Sequence, residues 1–148
     1  MANAASGVSV SPACIEEFKV LAMKKTYKYI IYKIDGEVVV EKTKQNAANE
    51  EAAIKEQEAV FQEFCEELPE SDCRYAVFDL LVETSDGRTF AKIFFIAWSP
   101  DGAKIKNKML YASSKEKFKS MLPNIQLEVQ ACDLDDLELP NLMKRVSS

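Results

Sequence analysis

The chain has 148 residues and 24 acidic against 19 basic side chains, giving a net charge of −5 and no histidine. That length fits one domain able to bury about two thirds of its unfolded surface without disulfides or metal. The acidic balance argues against a general nucleic-acid binder, and the lack of histidine removes the usual base near neutral pH and every Ser/His/Asp or Cys/His nucleophile arrangement. The four glycines make neither GxGxxG nor GxxxxGK[ST], so nucleotide binding has no support. Cys14, Cys65, Cys73 and Cys132 form no CxxC pair and read as free thiols in a reducing compartment. No apolar run approaches the ~20 residues of a membrane span, and the first ten residues are too polar for a signal peptide. The expectation is a soluble intracellular protein, not an enzyme, with no cofactor and no metal.

In chain order, residues 1–10 are small and polar and are expected to be mobile. Ser11-Pro12 starts a helix over Ala13 to about Lys24, with Ile15, Phe18, Val20 and Leu21 as candidate core. Tyr27–Ile34 and Glu37–Glu41 are strand-like and flank Asp35-Gly36, a strong hairpin signal. Glu50–Leu68 is a second helix with an apolar stripe of Ala53, Val60, Phe61, Phe64, Cys65 and Leu68, acids in its first turn, and Pro69 as its stop. Cys73–Glu83 and Arg88–Trp98 form another strand pair about Ser85-Asp86-Gly87. A helix follows from Lys104 to about Met121, then a turn at Pro123-Asn124, a strand over Ile125–Ala131 and a helical tail.

The helix after Trp98 carries the functional question. At about 100° per residue, Leu110, Phe118 and Met121 share a core face with Tyr111 at its edge, while Lys108, Lys115 and Lys119 line the far side. Ile105, Met109 and Ala112 fall beside those lysines. The pattern alone favours a solvated lysine face with methionine filling a gap, although methionine at a lysine-rimmed position is also what an adaptable protein-binding surface uses.

Four motifs in order resolve that ambiguity by resemblance. Trp98-Ser99-Pro100-Asp101 leads into Lys106-x-Lys108-Met109-x-Tyr111-x-Ser113-Ser114-Lys115; Asp72 to Asp79 reads DCRYAVFD; Ser6-Gly7-Val8 opens the chain; Ile125 to Ala131 reads IQLEVQA. Together they resemble the actin-depolymerising factor/cofilin family over nearly the whole length. The resemblance implies an α/β fold, a single actin-depolymerising-factor-homology domain over residues 1–148 whose central mixed sheet of about five strands is flanked by helices on both faces. It also implies a monomer that binds actin monomers and filaments, prefers ADP-actin, and promotes filament severing and depolymerisation in the cytoplasm and cytoskeleton. Lys24-Lys25 is too brief for a clear nuclear signal.

By the same resemblance the monomer-binding surface comprises Ser6, Gly7, Val8, Lys106, Lys108, Met109, Ser114, Lys115 and Lys119, with Ser6 as a regulatory phosphorylation site. Lys108, Lys115 and Lys119 would meet phosphoinositide headgroups. The filament surface would use Arg88, Lys92, Lys144 and Arg145. Here the chain departs from the family pattern: Phe90 stands where a basic residue is common, with Arg88 two residues earlier on the same strand face, and Lys144 reverses an acidic position. Residues 42–58 form a longer segment, read as an extended helix. A monomer sequesterer with weak severing, or a coactosin-like or glia-maturation-factor-like regulator, is the alternative.

Overall fold

A computed structural model describes residues 8–147. Its elements are α1 (Pro12–Lys24), β1 (Tyr27–Asp35), β2 (Glu37–Gln45), α2 (Glu50–Glu67), β3 (Arg74–Glu83), β4 (Thr89–Trp98), α3 (Ile105–Ser120), β5 (Leu127–Ala131), a 3-10 turn (Leu134–Leu137) and α4 (Leu139–Ser147). The strands make one sheet in the order β2-β1-β3-β4-β5. All neighbours are antiparallel except β4 and β5, so the sheet is mixed.

Both faces of this sheet are covered, which is why β3 and β4 read as nearly unbroken apolar runs. Alternation sends Ala76, Phe78, Leu80, Phe94, Ile96 and Trp98 to one face, where α2 and α4 supply Phe61, Phe64 and Leu142. Tyr75, Val77, Phe95 and Ala97 go to the other, under Cys14, Phe18 and Leu21 of α1 and Tyr111 and Phe118 of α3. Asp35-Gly36 makes the β1–β2 turn with Gly36 at φ +77°, a conformation that glycine takes without a Cβ penalty. The Asn49 side chain accepts from the Ala52 amide at 2.8 Å and caps α2, whose first turn carries Glu50 and Glu51.

Several expected boundaries move. The strand expected to end at Glu41 continues to Gln45, so the long 42–58 segment read as an extended helix is shared between β2 and α2, while α2 itself begins at Glu50 as expected. Thr43 and Lys44 pair with Ile30 and Tyr29 across the sheet, and Lys42 and Lys44 reach back to Glu67 and Glu63 of α2 at 2.5 and 2.9 Å. Pairing to β1 therefore overrides the helical propensity of the segment. Val20 is only half-buried, and β5 starts at Leu127 instead of Ile125. Residues 8–10, expected as part of a mobile lead, are tied to β2: Val38 N donates to Ser9 O and Ser11 N donates to Val38 O, both at 2.9 Å. Ser6 and Gly7 lie outside the described residues.

A buried polar cluster stitches α2 to the sheet. Lys28 Nζ donates to Gln57 Oε1 at 2.8 Å, and Gln57 brackets the Leu81 peptide, accepting from its N–H at 2.8 Å and donating to its carbonyl at 3.0 Å. Asp79, 2 % exposed, holds Lys25 at 3.1 Å. Burial pushes the Lys28 ammonium from 10.5 down to about 8; Asp79 opposes the fall and Lys25 adds to it. Because the unfolded chain keeps the ordinary lysine value, it holds more protons than the folded chain between those two values, so the Lys28 contribution to stability rises with pH from about 8 towards 10. The raised thiols of Cys14 and Cys65 lower stability over the same range, so the Lys28 contribution is read as a difference: from pH 7 to pH 9.5 the urea midpoint of the wild type is expected to gain on that of Lys28→Met, and parallel slopes contradict the assignment.

Candidate functional site

Helix α3 is set on the sheet by aromatic side chains. Tyr111 packs against Tyr75 with ring centres 5.1 Å apart and planes inclined by 56°, and its hydroxyl accepts the Ile34 amide at 2.8 Å. Tyr75 OH donates to the Tyr111 carbonyl. Two turns on, Phe118 meets Tyr32, Tyr75 and Phe95 at 4.8, 5.4 and 6.0 Å. The buried face is thus Tyr111, Ser114 and Phe118, rotated from the expected Leu110/Phe118/Met121 face with Tyr111 at its edge. Tyr111 is the centre of the face, Leu110 is half-buried, and Met121 is 40 % exposed just past the helix end. A tyrosine hydroxyl that finds a partner in the core outweighs the leucine as an anchor.

The entry to α3 is equally fixed. Trp98 Nε1 donates to Pro69 O at 2.7 Å, Ser99 N to Ala131 O at 2.9 Å, and Asn107 Nδ2 to Asp72 Oδ1 at 3.2 Å. Asp72 also accepts Arg74 Nη1 at 2.9 Å, and Arg74 Nε reaches Glu41 at 2.8 Å. Most of the DCRYAVFD motif is therefore scaffold for α3: Asp72 and Arg74 brace its first turn, Tyr75 its middle, and Asp79 belongs to the buried polar cluster.

This seating turns an unusual surface outward. Ile105 is 72 % exposed and Met109 66 %, one turn apart, with Lys106 exposed and Lys108 half-buried between them. The first turn of α3 has no acidic residue and Lys104 at its N-cap makes no side-chain cap bond. Cations at a helix N-terminus oppose the macrodipole, each at a cost of roughly 0.3–1 kcal/mol. Local stability is sacrificed there for a strongly positive, partly apolar surface.

The remaining expected residues distribute as follows. Lys115 and Lys119 lie further along α3, and both bind Glu128 of β5, at 2.6 and 2.5 Å. Burial raises the Glu128 carboxyl, but the hydrogen bonds from the two lysines outweigh that and hold it below its ordinary value. Ser114 is 1 % exposed and faces the sheet, so it supports the helix from within rather than presenting itself at the surface. Val8 is half-buried, and its carbonyl accepts Lys117 Nζ at 3.2 Å, which brings the N-terminal segment beside α3.

Alternation along β4 places Phe90 and Lys92 on the α2/α4 face, opposite α3. Lys92 lies 5.5 Å from the centre of the exposed Phe90 ring. Arg88 falls in the turn before β4 and pairs with Asp86 at 3.1 Å, so it is not part of the strand face on which it was expected. Lys144 and Arg145 are exposed on α4, and Arg145 Nη2 donates to the Glu128 carbonyl at 3.4 Å. Among the described residues Cys132, Asp133 and Asp136 gather as a metal-type cluster, exposed, with Asp136 accepting the Cys132 amide at 3.0 Å.

Glu128 was missed as a partner of the lysines. The signal was present in IQLEVQA, whose alternation puts Glu128 and Gln130 on the same sheet face as α3.

A five-stranded mixed sheet carrying a basic, apolar-tipped helix on one face defines the class, and the sequence comparisons agree with it. The profile of the Cofilin/tropomyosin-type actin-binding protein family matches residues 7–147, and the chain belongs to that family. It is 42 % identical to actin-depolymerizing factor 11 of Oryza sativa subsp. japonica, over 97 % of this chain and 94 % of the relative. It is 43 % identical to actin-depolymerizing factor 2 of Arabidopsis thaliana, over 99 % and 100 %. Among solved structures, Plasmodium berghei actin depolymerization factor 2 superposes with a TM-score of 0.82 at 33 % identity, covering 95 % of this chain and 98 % of that one. Coactosin from Entamoeba histolytica, at 20 % identity and a TM-score of 0.73, with 95 % of this chain and 94 % of that chain covered, shares the fold.

Gly102, in the turn before α3, has no room for a side chain, since a Cβ there would lie 2.5 Å from the Glu70 carbonyl oxygen. Gly102→Ala is expected to destabilise the fold by about 1–3 kcal/mol, read as a shift in the urea midpoint. An unshifted midpoint would mean that the Trp98–Lys104 turn is not the rigid entry described.

Proposed function

We propose that this protein is a non-catalytic actin regulator that binds actin monomers and filaments, prefers the ADP-bound state, and promotes filament severing and turnover at the cytoskeleton. The observation that carries the reading is the exposed Ile105/Met109 pair interleaved with Lys106 and Lys108 on a firmly seated helix. The apolar pair supplies area that loses water on docking, and the lysines, reinforced by the positive end of α3, steer and orient an acidic partner. Identities above 40 % to proteins named actin-depolymerizing factor favour this over a coactosin-like or glia-maturation-factor-like role, for which only the shared fold speaks.

Filament binding would engage a second surface made by Lys92, Lys144 and Arg145, with Arg88 as an outlying member. Differential affinity for one filament twist would shift neighbouring subunits towards it, and severing would follow at the boundary with bare filament. Phosphate on Ser6 would oppose binding by adding a charge of about −1.5 to −2 two residues ahead of Val8, whose carbonyl accepts Lys117 of α3, on a protein meant for an acidic partner. Phosphoinositide headgroups would compete for the α3 lysines. The protein acts as a monomer in the cytoplasm.

Lys106→Ala with Lys108→Ala is expected to abolish monomer binding in a fluorescence titration while keeping the wild-type thermal midpoint; wild-type affinity in the folded double variant would refute the site. Lys92→Ala with Arg145→Ala is expected to reduce cosedimentation with filaments several-fold and leave monomer binding intact. Equal losses of both activities would mean that the two surfaces are not separate.

A further inference from the structure

The acids in the second half of α2 fall into two rows with different surroundings. Glu63 and Glu67 turn towards β2 and pair with Lys44 and Lys42 at 2.9 and 2.5 Å. Glu58 and Glu66 share another ridge of the helix, at four-residue spacing through Gln62, and among the described residues they form no ion pair. They border a groove of about 580 Å³ between α2 and the 3-10 turn with the start of α4. Glu138 stands on the opposite wall, and no lysine or arginine lines the groove. Its floor is Phe61, Leu137 and Leu139, all buried, and Leu134 is 51 % exposed at the lip. The carboxylate and amide side chains of the walls are all exposed at the margin. A small polar ligand needs polar groups fixed inside a cavity to orient it, and an apolar floor under an acidic margin does not supply them. The layout is that of a protein-binding surface, in which the apolar centre contributes area and the polar rim selects the partner.

We propose that this groove docks a short basic amphipathic segment of another protein, whose apolar side chains enter over Phe61 and Leu137 while its lysines or arginines meet Glu58, Glu66 and Glu138. Three carboxylates around one groove repel one another; a cationic partner relieves that repulsion and an acidic one adds to it. The ridge from Glu58 to Glu66 is about 12 Å long, so about two turns of a partner helix match it. Leu134 is the side chain that loses most water when the groove is covered. The groove lies on the α2/α4 face of the sheet, away from α3, so the proposal does not rest on the reading of that helix. The chain's own α3 carries Ile105, Lys106, Lys108 and Met109, which makes a second copy the competing occupant. Such a head-to-tail contact would extend into rings or open chains of molecules, and it is read separately below.

The probe is a fluorescein-labelled helical peptide with leucine on one face and lysine on the other, followed by anisotropy at physiological salt. A leucine/glutamate peptide and a lysine/serine peptide of the same length are the controls. The wild type is expected to bind the leucine/lysine peptide at least about tenfold more tightly than either control. Glu58→Lys with Glu66→Lys should weaken that binding by about tenfold or more and strengthen binding of the leucine/glutamate peptide, because like charges then meet in one case and opposite charges in the other. Glu16→Lys with Glu83→Lys, the same change in net charge at exposed sites outside the groove, should stay within about twofold of wild type. Leu134→Ser should weaken binding several-fold without moving the thermal midpoint. In the unsubstituted protein the peptide should also slow alkylation of Cys65, half-buried in the groove wall, as read by mass mapping. Absence of binding, equal losses in the two charge-reversal variants, or alkylation of Cys65 that ignores the bound peptide overturns the proposal. Self-association of the wild type in sedimentation velocity, abolished by Glu58→Lys with Glu66→Lys, overturns it as well and makes a second copy the occupant.

Discussion

The seating of Tyr111 between Tyr75 and the Ile34 amide is the constraint from which the rest of the surface follows. It joins α3 to β1 and β3 with one ring contact and two hydrogen bonds, and it sets the rotation of the helix about its axis. A helix rotated by one residue would bury Met109 or Ala112 and bring Tyr111 into water. Buried aromatic contacts of this kind contribute about 0.5–1.5 kcal/mol each beyond area alone, and Phe118 adds three more against the same sheet face. That anchorage offsets a helix N-terminus that is poor by local rules, with lysines where acids belong.

The two faces of the sheet divide the labour. One carries α1 and α3 and presents the Ile105–Met109 surface; the other carries α2 and α4, with Lys92 on its rim. β5 connects them. Its odd positions, Leu127, Val129 and Ala131, pack under α4, while the Glu128 side chain meets α3 and the Glu128 carbonyl meets Arg145. A five-stranded sheet paired from edge to edge keeps both of these surfaces on one rigid body.

Much of this was legible in the residues. The Asp35-Gly36 turn, the capped and acid-led α2, and the apolar runs of β3 and β4 follow from local chemistry and alternation. The surface residues Ile105 and Met109 were visible as apolar side chains out of phase with the core stripe. What was not legible depended on partners distant in sequence. Tyr111 moved from edge to centre because its hydroxyl finds Ile34, 77 residues away. Lys42–Gln45 became strand because β1 was available to pair with it. Ser114 turned inward with that rotation of the helix, and Glu128 acquired its meaning only once β5 lay beside α3.

Actin is proposed to dock on the first half of α3. Amide hydrogen exchange of this protein, alone and with ADP-bound monomeric actin, reads that footprint directly. New protection is expected in residues 104–112 and in the segment around Val8, with α2 unchanged. Protection centred on α2 or on the 3-10 turn before α4, with residues 104–112 exchanging as in the free protein, would contradict it.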